Sequence, residues 1–238
     1  LVISRALVEL FSDPFIGERL AFRGGTALYK LHLPPARYSE DIDLVQVQAE
    51  SIGPTLRAIR HHLDSWLGEP KREFSAGRVT LSYRFWSEGE PSLKLKLKLE
   101  INSQEHFTVY GYQLHPFSVH SRWFTGEAKI RGYTLEEQLG TKLRALYQRR
   151  KGRDLFDLWD ALSRGDADPD RVIHAFLAYM TAEGHSIRRS DLESNLLQKL
   201  ADPRFTLDVV PLLSAEIDWQ PMDAARLVRR LLVDRLPM

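Results

Sequence analysis

The chain has 238 residues, 43% hydrophobic and 27% charged, which fits a folded globular protein and excludes a disordered one. Its net charge of +1 excludes a uniform polycation, and no apolar run approaches the roughly 18 residues of a membrane span. Cysteine is absent, so disulfides, thiolate zinc sites and a cysteine nucleophile are excluded together; the composition is compatible with a reducing cytoplasm, the expected location.

The opening Leu1-Val2-Ile3-Ser4-Arg5 lacks a signal-peptide shape and a Met, as expected of a trimmed fragment. Residues 1–20 are predicted helical, because Ile3, Leu7, Leu10 and Phe11 recur at helical spacing until Asp13-Pro14 ends the run. Leu20-Ala21-Phe22 reads as a short strand leading into Gly24-Gly25. From Thr26 to about Leu33 a helix is predicted, with Ala27, Leu28 and Leu31 on one face and Pro34-Pro35 as its stop. The stretch from Asp41 to Val47 alternates as a strand that begins with carboxylates. Residues 54–67 form an amphipathic helix through Leu56, Ile59, Leu63 and Leu67. Two strands follow, Arg78–Trp86 and Ser92–Asn102. In the second, Leu93, Leu95, Leu97, Leu99 and Ile101 alternate with Lys94, Lys96, Lys98 and Glu100, so one face is apolar and the other charged. Residues 106–133 hold short strands and turns.

Helices dominate from Thr134 onward. Thr134-Leu135-Glu136-Glu137 is a capping box opening a helix to about Arg149. A second helix begins near Asp154 and ends before Gly165, and three more cover 169–183, 190–200 and 221–236. The expected fold class is α+β: an N-terminal mixed sheet with helices over 1–120, then a C-terminal helical bundle over 121–238. Trp86, Trp123, Trp159 and Trp219 are expected in the core. Between Lys129 and Arg153, eight basic residues face only Glu136 and Glu137, a stripe that can attract phosphates.

The chemistry concentrates at Asp41 and Asp43. Two apart on a strand, they share one face and repel unless a cation sits between them. Mg²⁺ suits that demand, since it binds oxygen and brings substrate phosphates with it. The turn Gly24-Gly25-Thr26 lies between a strand and a helix, where glycine lets the backbone approach a phosphate. A third carboxylate is expected on a neighbouring strand, and Glu100 qualifies; the alternative is the wet face of a sheet. Lys142 and Arg149, seven apart, share a helix face and suit a polyphosphate, the alternative being a solvated basic helix. Arg37 can reach phosphate or pair with Glu40.

Gly-Gly followed by Asp-x-Asp resembles the signature of the DNA polymerase β-like nucleotidyltransferase superfamily, with a somewhat longer gap here. The string FRGGTALYKLHLPPARYSEDIDL and the later LEEQLGTKLRALYQRRKGRDLFDLWD are similar to two blocks of a narrower group, the AbiEii/AbiGii toxin family. The resemblance covers roughly residues 20–160. It implies a nucleotidyltransferase-like first domain that moves a nucleoside monophosphate from a nucleoside triphosphate (NTP) to an acceptor, the 3′ end of tRNA being the first expectation. It further implies a toxin of a bacterial toxin–antitoxin or phage-defence system, with an antitoxin partner and no membrane. Carried over by position, Ser39 and Asp41 lie at the triphosphate and metal with Asp43 beside them; the metal expected is Mg²⁺ or Mn²⁺, with Glu100 the third ligand anticipated from the strand pattern. Gly24, Gly25, Thr26, Arg37 and Ser39 serve the nucleotide. Lys142, on the helical side, neutralises triphosphate charge, and Asp157 or Asp154 completes the distal part. The rival readings are a protein or small-molecule hydroxyl as acceptor, and a non-enzymatic nucleotide- or partner-binding module.

Overall fold

The computed structural model describes residues 1–237. The chain divides into two compact units, one of residues 1–31 with 40–133, the other of residues 32–39 with 134 onward.

The first unit is a mixed sheet with helices. Its helices are α1 (Val2–Phe11), α2 (Pro14–Arg19), the single turn α3 (Gly24–Ala27) and α4 (Ile52–Leu67). Its strands are β1 (Leu20–Arg23), β2 (Asp41–Gln46), β3 (Lys71–Ser75), β4 (Arg78–Trp86), β5 (Lys94–Asn102), β6 (Gln113–His120) and β7 (Thr125–Gly132), in the order β3-β4-β5-β2-β1-β7-β6. β2 runs antiparallel to β1 and parallel to β5. Strand alternation sorts the residues between two faces. Phe22, Ile42, Leu44, Leu97, Leu99 and Ile101 point one way and form a single core with Leu7 and Leu10 of α1 and with Ile59 and Leu63 of α4. Arg23, Asp41, Asp43, Lys98 and Glu100 alternate with them and therefore face the other way. The hydrophobic effect that fixes the register thus also fixes which side chains are left for chemistry.

Several features depart from sequence expectation. The helix foreseen from Thr26 is one α-turn followed by a π-helical turn, Leu28–His32. Strand β3 was not foreseen, because Lys-Arg-Glu-Phe-Ser lacks apolar alternation; it is an exposed edge, held by antiparallel pairing to β4 and charged as edges commonly are. The sheet also continues to Gly132, whereas the composition change suggests a boundary near 120. β6 and β7 form a half-exposed hairpin, and β7 joins β1 through Phe22 and Gly132.

The second unit is helical. It holds α5 (Leu135–Gln148), α6 (Gly152–Arg164), α7 (Pro169–Ala182), α8 (Arg189–Leu200), α9 (Pro203–Thr206) and α10 (Pro221–Leu231). The Thr134 side chain accepts from the Glu137 N–H at 3.2 Å, as the capping box predicts, while Glu137 accepts from the Tyr179 hydroxyl at 2.7 Å. Gly140 lets α5 cross α7 closely, since a Cβ there would lie 2.7 Å from that of Ala175. Residues 32–39 belong here because their backbone is bonded to the late loop. The Tyr38 N–H donates to the Leu212 carbonyl at 2.7 Å and the Ser214 N–H donates to the Ala36 carbonyl at 3.2 Å. Lys199 is buried and donates to the Tyr147 carbonyl at 2.8 Å, which satisfies the end of α5.

The tryptophans divide. Trp159 and Trp219 meet edge-on at 5.7 Å beside Phe156, inside the helical unit. Trp86 and Trp123, expected in the core, are 65% and 61% exposed. Trp86 shares the polar face with Arg84, and Trp123 occupies a tight turn closed by Ser121. Among the described residues no helix is long and apolar enough to cross a membrane.

Candidate active site

In the first unit the candidate residues gather where β2 begins. Asp41 lies opposite Lys98 in register, and Asp43 lies between Arg23 of β1 and Glu100 of β5. The Thr26 hydroxyl donates to the Asp41 carbonyl at 2.6 Å and so ties the glycine turn to the strand. Gly24 has φ +83°, and a Cβ on it would fall 2.1 Å from Oδ2 of Asp43. Only glycine both adopts that backbone and leaves room for the Asp43 carboxylate. The structure therefore brings Gly24, Gly25, Thr26, Asp41, Asp43 and Glu100 into one unit, as residues of one sheet face and its adjoining turn.

The electrostatics are those of crowded carboxylates. Burial pushes the Asp41 carboxyl above its ordinary range; Lys98 opposes this, while Asp43, Glu40 and Glu100 add to it. Lys98 is the local compensation. Burial would lower its ammonium, but Glu100, Asp41 and Asp43 outweigh that and raise it. Glu100 is engaged by Lys98 and by Arg78 at 3.7 Å. Arg23 pairs with Glu105 at 3.1 Å; burial acts to lower its guanidinium, and Tyr133, Glu105 and Asp43 raise it. Sequence reading missed both Arg23 and Lys98. The signals were present: Arg23 directly precedes Gly24, and Lys98 shares the phase of Glu100 on the alternating strand.

The donor chemistry fits a hard divalent cation. Asp41 and Asp43 are paired carboxylates on one face, and Asp43 adds to the upward push that burial gives the Asp41 carboxyl. Among the described residues no three potential ligand side chains cluster closely enough to enclose a metal. An ion held here would complete its shell with phosphate oxygens and water, as Mg²⁺ commonly does.

In the second unit a different cluster forms. Arg37 clasps Asp157 with both prongs, Nε to Oδ1 at 2.6 Å and Nη2 to Oδ2 at 2.7 Å. Lys142 lies 2.7 Å from Oδ2 of Asp157, the oxygen it shares with Arg37, and 3.4 Å from Asp154. Arg149 clasps Asp154 at 2.7 and 2.8 Å. Both aspartates are fully buried. Burial works to raise the Asp157 carboxyl, yet Lys142 and Arg37 together outweigh it and hold it below the ordinary range. Three cations thus surround two carboxylates, so the cluster carries a net positive charge. Ser39 is half-buried in the same unit, at the end of the segment that carries Arg37.

The profile of a family described as nucleotidyl transferase AbiEii toxin, type IV toxin–antitoxin system, matches residues 5–227. The chain is similar in structure to MenT4, a nucleotidyltransferase toxin from Mycobacterium tuberculosis, with 18% identity and a TM-score of 0.68 over 99% of this chain and 82% of that one. It is also similar to JHP933 from Helicobacter pylori, with 18% identity and a TM-score of 0.56 over 95% of this chain and 86% of that one. At such identity these likenesses speak to the fold. Among curated proteins, none matches.

Proposed function

The chain belongs to the nucleotidyl transferase AbiEii toxin family of type IV toxin–antitoxin systems, and from that premise we propose that it transfers a nucleoside monophosphate from an NTP to the 3′-hydroxyl of an RNA, tRNA first among them. The carrying observation is the placement of Asp41 and Asp43 on the polar face of β2, with the bare backbone of Gly24 against Asp43.

In this reading the acceptor hydroxyl attacks the α-phosphorus, its proton departs, the bond to the bridging oxygen breaks and pyrophosphate leaves. Asp41 and Asp43 would hold Mg²⁺ or Mn²⁺, which supplies charge neutralisation at the phosphates. Glu100 stands next to Asp43 in register and would join them on release from Lys98. Gly24, Gly25 and Thr26 offer close backbone approach to phosphate oxygens, and Ser39 offers a hydroxyl. Lys142 neutralises the developing charge of the leaving pyrophosphate. Two of its three N–H donors face Asp157 and Asp154, and the third serves a phosphate oxygen. Asp157, clasped by Arg37, and Asp154, clasped by Arg149, orient that ammonium. The family further implies a cognate antitoxin.

The test is incubation of the protein with total RNA, Mg²⁺ and each α-labelled NTP in turn, followed by a denaturing gel. A labelled tRNA-sized band with one NTP is expected. Label in protein and none in RNA would move the acceptor to a protein hydroxyl, and NTP binding without any labelled product would overturn the enzymatic reading.

Gly24→Ala tests the turn. The added Cβ must displace the Asp43 carboxylate, and a displacement near 1 Å at a reacting centre costs about 10²-fold in rate. Turnover is expected to fall by that order while the protein stays folded by circular dichroism. Unchanged turnover would show that the position of Asp43 is immaterial.

A further inference from the structure

We propose that the outer face of the β4–β5 arm is a docking track for single-stranded RNA, laid so that its 3′ end runs toward Asp41; the inference rests on the transfer reading above for its direction but on the arm's own chemistry for its binding. β5 pairs with β2 only from Lys98 onward, so residues 94–97, with 83–86 of β4 beside them, extend past the strand end at Asp41. On the face shared with Asp41 and Asp43 this arm carries Arg84, Lys96 and Lys94. Across β3 to β5 the face forms an open trough of about 420 Å³. Lys71, Arg78, Arg84, Lys96 and Lys98 line it, opposed only by Glu73 and Glu100.

The charges are not all spent internally. Lys71 pairs with Glu73, and Lys98 and Arg78 with Glu100. Arg84, Lys94 and Lys96 make no ion pair among the described residues, and all three are exposed. Along β5 the lysines recur every second residue, hence roughly 6.8 Å apart. That is the scale of successive phosphates in an unstacked single strand. Trp86, the register partner of Lys94, stands on the same face and is 65% exposed. From register and strand spacing, Trp86 lies roughly 16 Å from Asp41, the reach of a few nucleotides. A cationic track ending in an exposed indole is the combination by which proteins hold single strands: phosphates meet charge, and a base stacks on the ring.

A protein partner would want a different surface. Stable protein interfaces centre on apolar anchors depleted of charge. Here the central strand of the trough offers Arg78, Thr80, Ser82 and Arg84, Phe74 is the one apolar side chain that lines it, and Trp86 stands beyond Arg84 on the same strand face. Polyanion complementarity is the property this face has, and a nucleic-acid strand is the occupant it matches.

Binding is measured by fluorescence anisotropy of a labelled short single-stranded RNA, with EDTA and no NTP, across a salt series. Wild-type affinity should fall steeply with salt. The double variant Arg84→Gln/Lys96→Gln removes two phosphate contacts and should lower the log–log salt slope by about 1.4. Trp86→Ala should weaken binding by about tenfold or more with the slope unchanged. All three positions are on the surface, so thermal unfolding should match wild type. Unaltered affinity and slope in the double variant would overturn the inference, as would displacement of the RNA by polyglutamate at equal charge, which would assign the face to an acidic protein. RNA binding that depends on these residues in a protein showing no transfer from any NTP would keep the track and discard the transfer reading. Transfer to RNA with wild-type efficiency in the double variant and in Trp86→Ala would keep the transfer reading and discard the track.

Discussion

Asp41→Asn is expected to lower nucleotidyl transfer by at least about 10³-fold, the scale of several kcal/mol that a correctly held divalent ion contributes at a reacting phosphate. The fold should not suffer. Asp41 is half-exposed, and its charge is already disfavoured by burial and by Asp43, Glu40 and Glu100. Replacing it with a neutral amide of the same shape removes that repulsion, so the variant should melt at or above the wild-type temperature in EDTA. The converse holds in Mg²⁺: wild type should gain thermal stability on adding the ion, by mass action, and Asp41→Asn should gain little. Calorimetric scans with and without Mg²⁺, together with label transfer, check both halves. Full transfer by a well-folded Asp41→Asn protein would remove Asp41 from the chemistry.

The second large effect belongs to Asp157. Its carboxylate is fully buried between Arg37 and Lys142, so Asp157→Ala removes the carboxylate that two buried cations share. Removing one partner of a buried pair costs about 3–5 kcal/mol, and in a protein of this size that corresponds to roughly 10 °C in melting temperature. The pH dependence has a definite sign. Because the folded carboxyl is held below its ordinary value of 3.8, its contribution is complete above that pH and is lost as pH falls through the lower folded value. Wild type should therefore tolerate mild acid, with this contribution disappearing only well below pH 3.8. Loss of transfer in Asp157→Ala alone would not separate structure from function. The double variant Arg37→Met/Asp157→Leu replaces the clasp with apolar groups and should recover part of the stability. Recovered stability without transfer would mark Asp157 as a working part of the site, and recovered transfer would reduce it to a structural one.

Much of this was legible in the chain, and for local reasons. The period-two run through Lys98 and Glu100 is a strand because alternation records which face is buried. Asp41 and Asp43 share a face for the same reason, and Gly24 announces a turn through the backbone it alone adopts. Thr134 shows its helix start through a cap that acts over three residues. What escaped was non-local or weakly patterned. Arg37 and Asp157 are 120 positions apart, and nothing near either names the other. Strand β3 owes its existence to β4 and not to its own side chains. Trp86 reads as core by residue type, and only the placement of the β4–β5 arm leaves it in solvent.

The two units are interleaved along the chain, because residues 32–39 lie between segments of the first unit yet belong to the second. A gene cut after Tyr133 would leave Arg37 on one fragment and Asp157 on the other, and the second fragment would lack residues 32–39 of its unit. Recombination that swapped the helical part between relatives at that single point would mismatch the clasp unless the short loop travelled with it. Variation in these proteins should therefore spread by coordinated substitution at Arg37, Lys142 and Asp157 more readily than by exchange of intact modules.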